Sequence, residues 1–278
     1  MKLIYENERG KIVMNGGGGK GFNITQIRGI SIPECDVEAV RYPYMAGQVV
    51  TRVTPMERVI TISADVRDDN KKELSRAVNV FSAPGTISIT SCGKTKRIKA
   101  RCVSFEPNKN KGAYTPFTVQ FCADSPYFED IYDTAVYITN REGKLMSDFV
   151  LGCAFSERLL KNLVINRGDV NVEPVFEISS VDGAVCPQGI LIKNNKNGKG
   201  ILLNTEVLAG ETITIDIKNR KITSNKRGNL ISCLGQDTAI SRFSIDVGVS
   251  EIEILTPEIS GTLSAVCIYN NSYISAVV

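Results

Sequence analysis

The chain has 278 residues, 42% of them hydrophobic and 23% charged, with a formal net charge of +3. That balance is ordinary for a globular protein and excludes a disordered or fibrous chain, and the length suggests about two domains. Histidine and tryptophan are both absent, which excludes Ser-His-Asp hydrolysis, Cys-His proteolysis and every His-containing zinc site.

The start, Met1-Lys2-Leu3-Ile4-Tyr5-Glu6-Asn7-Glu8, turns acidic before any apolar run long enough for a signal peptide. No apolar run approaches the roughly 18 residues that would span a bilayer. The expectation is a chain used in soluble form, with no Sec signal at its start. Next comes a glycine run, Gly16-Gly17-Gly18-Gly19-Lys20-Gly21, which fits G-x-G-x-x-G at Gly16, Gly18 and Gly21. A dinucleotide site needs a helix after that motif. Here 22–27 reads as a strand, and no Ser or Thr follows Lys20 as a P-loop requires. A mobile, non-catalytic hairpin loop is expected.

Period-two patterning follows. Ile60, Ile62, Ala64 and Val66 share one face of a strand over 58–66. Asn70 and Glu73 have capping-box spacing. Leu74, Ala77, Val78 and Phe81 then make one apolar stripe, which predicts a helix over 70–82. Pro84 ends it. Lys94, Lys96, Arg97, Lys99 and Arg101 form the densest basic run, with Arg97, Lys99 and Arg101 on one strand face. That face could look toward DNA or an acidic neighbour, but an exposed strand face or a lysine-blunted sheet edge is preferred. Phe117, Val119 and Phe121 alternate cleanly.

An acidic, irregular stretch begins near Asp133. It gives a division into an N-terminal β domain over 1–133, a linker over 134–165 and a C-terminal β-sandwich over 166–278. A weaker helix is predicted over 156–163, with Leu159, Leu160 and Leu163 inward. Arg167-Gly168-Asp169 spells an adhesion tripeptide but reads better as a glycine turn between strands. Strand patterns recur over 175–178, 189–192, 212–217 and 265–269. Short strands with Gly, Asn and Pro between them indicate sandwiches or barrels.

Eight cysteines are spread along the chain: Cys35, Cys92, Cys102, Cys122, Cys153, Cys186, Cys233 and Cys267. No CxxC pair occurs, so neither zinc nor a redox motif is supported. Free, mostly buried thiols are expected. The carboxylates Asp68-Asp69, Glu129-Asp130 and Asp133 form no compelling acid/base pair. No catalytic, cofactor-binding or metal-binding residue is therefore assigned, and no cofactor is expected.

One group of segments, taken together, carries a family resemblance. It comprises Gly29-Ile30-Ser31-Ile32-Pro33, Gly47, the strand over 58–64, the helix over 73–81, the strand over 83–89, Lys96-Arg97-Ile98-Lys99-Ala100, and the close Gln120-Phe121-Cys122-Ala123-Asp124-Ser125-Pro126-Tyr127-Phe128. In that order they resemble the distal tail protein (Dit) family of siphovirus-type phages. Asn166-Arg167-Gly168-Asp169-Val170, Glu173-Pro174 and 209–216 fit more loosely. The resemblance implies a mainly β fold: an N-terminal β-sandwich or split barrel with one helix, then a galectin-like β-sandwich. It also implies a structural, non-enzymatic baseplate protein at the virion tail tip, assembled in the bacterial host cytoplasm. Its partners would be itself in a homohexameric ring, the tail tube protein, the tail-associated hub protein and receptor-binding proteins. DNA would pass through without sequence-specific binding, and no membrane is implied. The competing reading is a carbohydrate-binding or adhesin-like β-sandwich protein stacking sugars on Tyr42, Tyr44, Tyr269 and Tyr273. A nucleotide-using enzyme, resting on the glycine run, is the third.

Overall fold

Alternation of inward apolar and outward polar residues organises almost every strand. The structure, a computed structural model, describes residues 1–15, 21–67, 71–108, 114–143, 156–183, 189–236, 238–256 and 263–277. The chain divides into two units. Unit 1 is Met1–Ile131 with Ser272–Val278, and unit 2 is Tyr132–Asn271.

Unit 1 contains β1 (Lys2–Asn7), β2 (Gly10–Asn15), β3 (Phe22–Arg28), β4 (Cys35–Val40), β5 (Val49–Pro55), β6 (Arg58–Arg67), α1 (Lys71–Phe81), β7 (Gly85–Ser91), β8 (Lys94–Pro107), β9 (Tyr114–Ala123) and β10 (Phe128–Asp130). The sheet runs β8-β7-β1-β2-β3-β6-β9, and β9 pairs back onto the far half of β8, so seven strands close into a barrel. Closure removes the edges that an open sheet would expose. Leu3, Tyr5, Ile60, Ile62, Ile87, Ile89, Val119 and Phe121 fill the interior. The rings of Tyr5, Phe81 and Phe121 meet at 4.9–5.5 Å, a spacing that adds to simple burial.

The helix lies where the periodicity predicts, but its inward stripe is shifted. Ala77, Val80 and Phe81 are buried and Leu74 packs against the core, whereas Val78 is 53% exposed. Both 74-78-81 and 74-77-81 satisfy helical spacing, and only docking on β2 and β8 selects the second. Phe81→Ala is expected to cost about 3–5 kcal/mol, and Val78→Ala to stay within about 0.5 kcal/mol, both read by urea unfolding. The Asn70 cap lies outside the described residues, as do Asp68 and Asp69.

Two expectations about strands need correction. β8 is no blunted edge: it pairs with β7, β9 and β10, while Lys99 and Arg101 are exposed. Lys96 is buried, donates from Nζ to the Ser275 carbonyl at 2.8 Å and sits 4.0 Å from the Tyr273 ring centre. In addition, β2 and β3, which flank the glycine run, pair in parallel over two residues, so they do not form a simple antiparallel hairpin. The run's residues 16–20 lie outside the described residues.

Unit 2 continues with β11 (Thr134–Tyr137), β12 (Asn140–Gly143), β13 (Ser156–Leu159), β14 (Lys161–Asn166), β15 (Val175–Ser180), β16 (Ile190–Asn194), β17 (Gly200–Leu203), β18 (Glu211–Asp216), β19 (Lys221–Ser224), β20 (Gly228–Asn229), β21 (Gly248–Leu255) and β22 (Leu263–Tyr269). A six-stranded sheet, β11-β22-β15-β18-β19-β20, faces a four-stranded one, β14-β21-β16-β17. Phe176, Ile178, Ile213 and Ile215 from the first share a core with Ile190, Ile192, Ile252 and Ile254 from the second. This is the expected sandwich.

The described parts of the stretch expected to be a linker, 134–143 and 156–165, carry strands. β11 pairs with β22 and β14 pairs with β21, so 134–137 and 161–166 contribute strands to both sheets. The helix predicted over 156–163 is also replaced, by β13 and β14. Leucine spacing there mimics a helical stripe, but Val164 is buried between exposed Leu163 and Ile165, which is period two. The last strand, β23 (Ser272–Tyr273), leaves unit 2 and pairs with β10 in unit 1. The C-terminal boundary at 278 therefore moves to Asn271.

Candidate assembly surface

Cys35, Val37 and Ala39 alternate with Asp36 and Glu38, and Val49, Val50 and Val53 follow beyond a turn-forming stretch. These residues build the antiparallel ribbon β4–β5. Its register pairs Cys35 with Pro55, Val37 with Val53, and Ala39 with Val50, with a bulge between Glu38 and Ala39. Directly opposed residues share a face. One face is therefore Cys35, Val37, Ala39, Val50, Val53 and Pro55, all apolar or weakly polar. The other holds Asp36, Glu38, Arg52 and Thr54, with the Val40–Val49 pair at its tip end.

Both faces are open. Every residue of the two strands except Ala39 is exposed. At the tip, Tyr42, Tyr44 and Met45 are exposed too, with Tyr44 held at a φ of 64°. A two-stranded ribbon alone is marginally stable in water. An uncovered row of valines on one marks an interaction surface.

The base of the ribbon is built very differently. Gly29 sits at φ +81°, where an added Cβ would lie 1.9 Å from the Val59 carbonyl oxygen, so only glycine fits. Met56 N–H donates to the Glu34 carbonyl at 2.9 Å and closes the two legs. Arg58, 1% exposed, begins β6 directly after the exit leg. Its guanidinium donates to the Gly29 and Ser31 carbonyls on the entry leg at 2.7 and 2.9 Å. It also donates to Pro126 and Ile274 carbonyls at 2.7 Å each, and lies 4.6 Å from the Phe128 ring centre. Burial pushes its pKa down to about 10, so it stays cationic at neutral pH.

The other residues singled out from the sequence do not converge on a site. In the Arg167-Gly168-Asp169 turn, buried Asn166 accepts from Gly168 N–H and donates to the Val170 carbonyl, which supports the turn reading. Of the four tyrosines proposed for sugar stacking, Tyr42 and Tyr44 are exposed. Tyr269 is buried with its hydroxyl donating to the Ile165 carbonyl, and Tyr273 packs against Lys96 while its hydroxyl donates to Asp130. Those two are structural. Cys35, Cys92, Cys102, Cys122, Cys233 and Cys267 are free thiols, but only Cys267 is buried, which corrects the expectation of mostly buried thiols. Cys153 and Cys186 lie outside the described residues. Among the described residues no group of three His, Cys, Asp or Glu could hold a metal ion.

Sequence reasoning passed over the ribbon and Arg58. The alternation over 35–40 and 49–55, on either side of Tyr42-Pro43-Tyr44-Met45-Ala46-Gly47, was the available signal for the ribbon. Period two puts Arg58 on the same face as Ile60 and Ile62, but nothing in the sequence marks the carbonyls that receive it.

Residues 167–273 match the family described as siphovirus-type tail component, C-terminal domain. No curated protein matches. Among solved structures, the SPP1 Dit (gp 19.1) protein, described as a paradigm of hub adsorption apparatus in phages infecting Gram-positive hosts, is similar at 10% identity. The match covers 90% of this chain and 93% of that one, with a TM-score of 0.67. Chains of the phage P2 baseplate in its activated conformation, with Ca and with Sr, match at 11% and 12% identity. Each match covers 96% of this chain and 97% of that one, with TM-scores of 0.48 and 0.47. The fold is that of Dit, and the resemblance read from the sequence is borne out.

Proposed function

We propose that this chain, with its siphovirus-type tail-component domain and Dit fold, is a structural phage tail-tip protein whose barrel unit closes into a six-fold ring. The ring would join the tail tube to the tail-associated hub and the receptor-binding apparatus. DNA would cross it without sequence-specific contacts, and the protein would do no chemistry of its own. Copies would be made in the host cytoplasm and end in the virion tail.

The observation that carries the assembly reading is the β4–β5 ribbon, with its uncovered face of Val37, Ala39, Val50 and Val53. A ribbon from one copy resting on a different surface of the next is a head-to-tail contact. Such contacts close into a ring when the rotation per copy divides the circle. A specific contact of this kind should bury about 1,000 Å² or more.

Negative-stain imaging of the protein, alone and mixed with its neighbouring tail proteins, tests this. Six-fold rings are expected in at least one sample, because closure can require the tube as a template. The double variant Val37→Asp, Val53→Asp should abolish them with a stability change within about 0.5 kcal/mol, since both residues are exposed. Rings that persist in the double variant would remove the ribbon from the assembly. A sample without rings in any mixture would remove the ring itself.

A further inference from the structure

We propose that residues 272–277 act as a strap that holds the base of the ribbon in its assembly-competent orientation, so that ring formation depends on the strap being docked. This rests on the ribbon reading above and adds to it a device that controls the ribbon.

The strap belongs to unit 1 although unit 2 precedes it in the chain. It is tied down at every step. Phe128 and Tyr273 are register partners in the β10–β23 pairing. The Tyr273 hydroxyl donates to Asp130 Oδ2 at 3.2 Å. The Ile274 carbonyl accepts from Arg58, and the Ser275 carbonyl accepts from Lys96. Ala276 N–H donates to the Ile30 carbonyl at 2.9 Å, and the Ala276 methyl is buried in the barrel core cluster.

The strap and the ribbon share their anchors. Ile30, which accepts from Ala276, lies between Gly29 and Ser31, which accept from Arg58. Arg58 in turn begins β6 directly after the exit leg, three residues after Pro55. One guanidinium therefore binds the entry leg, the exit leg and the strap together. The ribbon strands themselves are exposed, all but Ala39. The direction in which the ribbon leaves the barrel is thus set at this knot. Undocking the strap removes the acceptor Ile274 from Arg58 and the donor Ala276 from Ile30. It leaves both legs held by fewer bonds.

The test uses the full chain carrying Ala276→Pro, which deletes the donor to Ile30, and separately Ala276→Asp, which places a charge in the core position. Hydrogen exchange is read at the Met56 amide, which closes the ribbon base, and rings are counted by imaging with the neighbouring tail proteins. The expected result is at least tenfold faster exchange at Met56 and at least fivefold fewer rings, with the unfolding temperature of the Ala276→Pro protein within a few degrees of the parent. If Ala276→Asp fails to fold, Ala276→Pro alone decides. Unchanged exchange at Met56 overturns the strap. Faster exchange with the parental yield of rings also overturns it, while leaving the ribbon's role intact. Failure of the ribbon reading is recognised separately, by rings that survive Val37→Asp, Val53→Asp.

Discussion

Replacing Arg58 with methionine is expected to lower the stability of the barrel unit by about 3–5 kcal/mol, because four carbonyls lose charged donors at once, each such bond being worth about 1.5–3 kcal/mol. Methionine keeps much of the volume and can still lie against Phe128. It donates nothing, so the carbonyls of Gly29, Ser31, Pro126 and Ile274 lose a donor together. A buried polar group left unsatisfied costs about 1–3 kcal/mol. Relief from burying a cation offsets part of that sum, which keeps the net within the stated range. Arg58→Lys should recover only part of the loss, because an ammonium is a point donor and cannot reach four acceptors arranged for a planar fork. Urea unfolding, followed by a probe within the barrel, measures both. A loss below about 1 kcal/mol for methionine would show that the four carbonyls find other donors.

The second large effect is expected in the sandwich unit, at Glu211. This carboxylate is 0% exposed and receives Arg227 Nε at 2.7 Å and Nη2 at 2.8 Å. The Ser224 hydroxyl and Leu208 N–H donate to it as well. Burial alone would raise its pKa, but the Arg227 guanidinium, the Ser224 hydroxyl and the Leu208 amide outweigh burial and hold it below the usual carboxylate range. Glu211→Ala should cost about 3 kcal/mol, at the low end for a broken buried pair because Arg227 still reaches solvent. The pH dependence follows from the same bonds. A carboxyl whose pKa is lowered on folding binds fewer protons in the native state than in the unfolded one. Its contribution is complete above the unfolded value and is lost as pH falls through the folded one. The sandwich should therefore weaken progressively below about pH 5, and Glu211→Gln should flatten that slope. An unchanged acid slope in the Gln variant would assign the pH dependence to other carboxylates.

Alternation was enough to find the strands over 58–66 and 117–121 and to say which side is buried, because period two fixes the face of a strand wherever it goes. The same holds for 212–217 and 265–269 in the sandwich. The α1 boundaries were equally legible, through Pro84 and the apolar spacing. Where two registers fit one pattern, the sequence stopped short. Ala77 and Val78 both suit a helical stripe, and docking on β2 and β8 buries Ala77 and leaves Val78 exposed. Leu159, Leu160 and Leu163 suit a helix until β21 pairs with the segment.

The features on which the proposed assembly rests are long-range ones. Period two tells a strand which side is apolar, not which strand lies beside it. The closure of β9 onto β8 was therefore invisible before the structure, as was the return of 272–277 to a barrel built from the first 131 residues. Alternation puts Arg58 on the same face as Ile60 and Ile62, but nothing in the sequence says what would receive its charge there. Arg58 is buried because carbonyls from three separate segments, the 29–31 leg, Pro126 and Ile274, meet there, a coincidence that only the folded chain creates. The ribbon is the converse case. Its alternating valines announce a face that must be covered, and among the described residues that face stays exposed. By itself the sequence determined which residues avoid water; the fold decided which of them find cover within the chain and which are left for another.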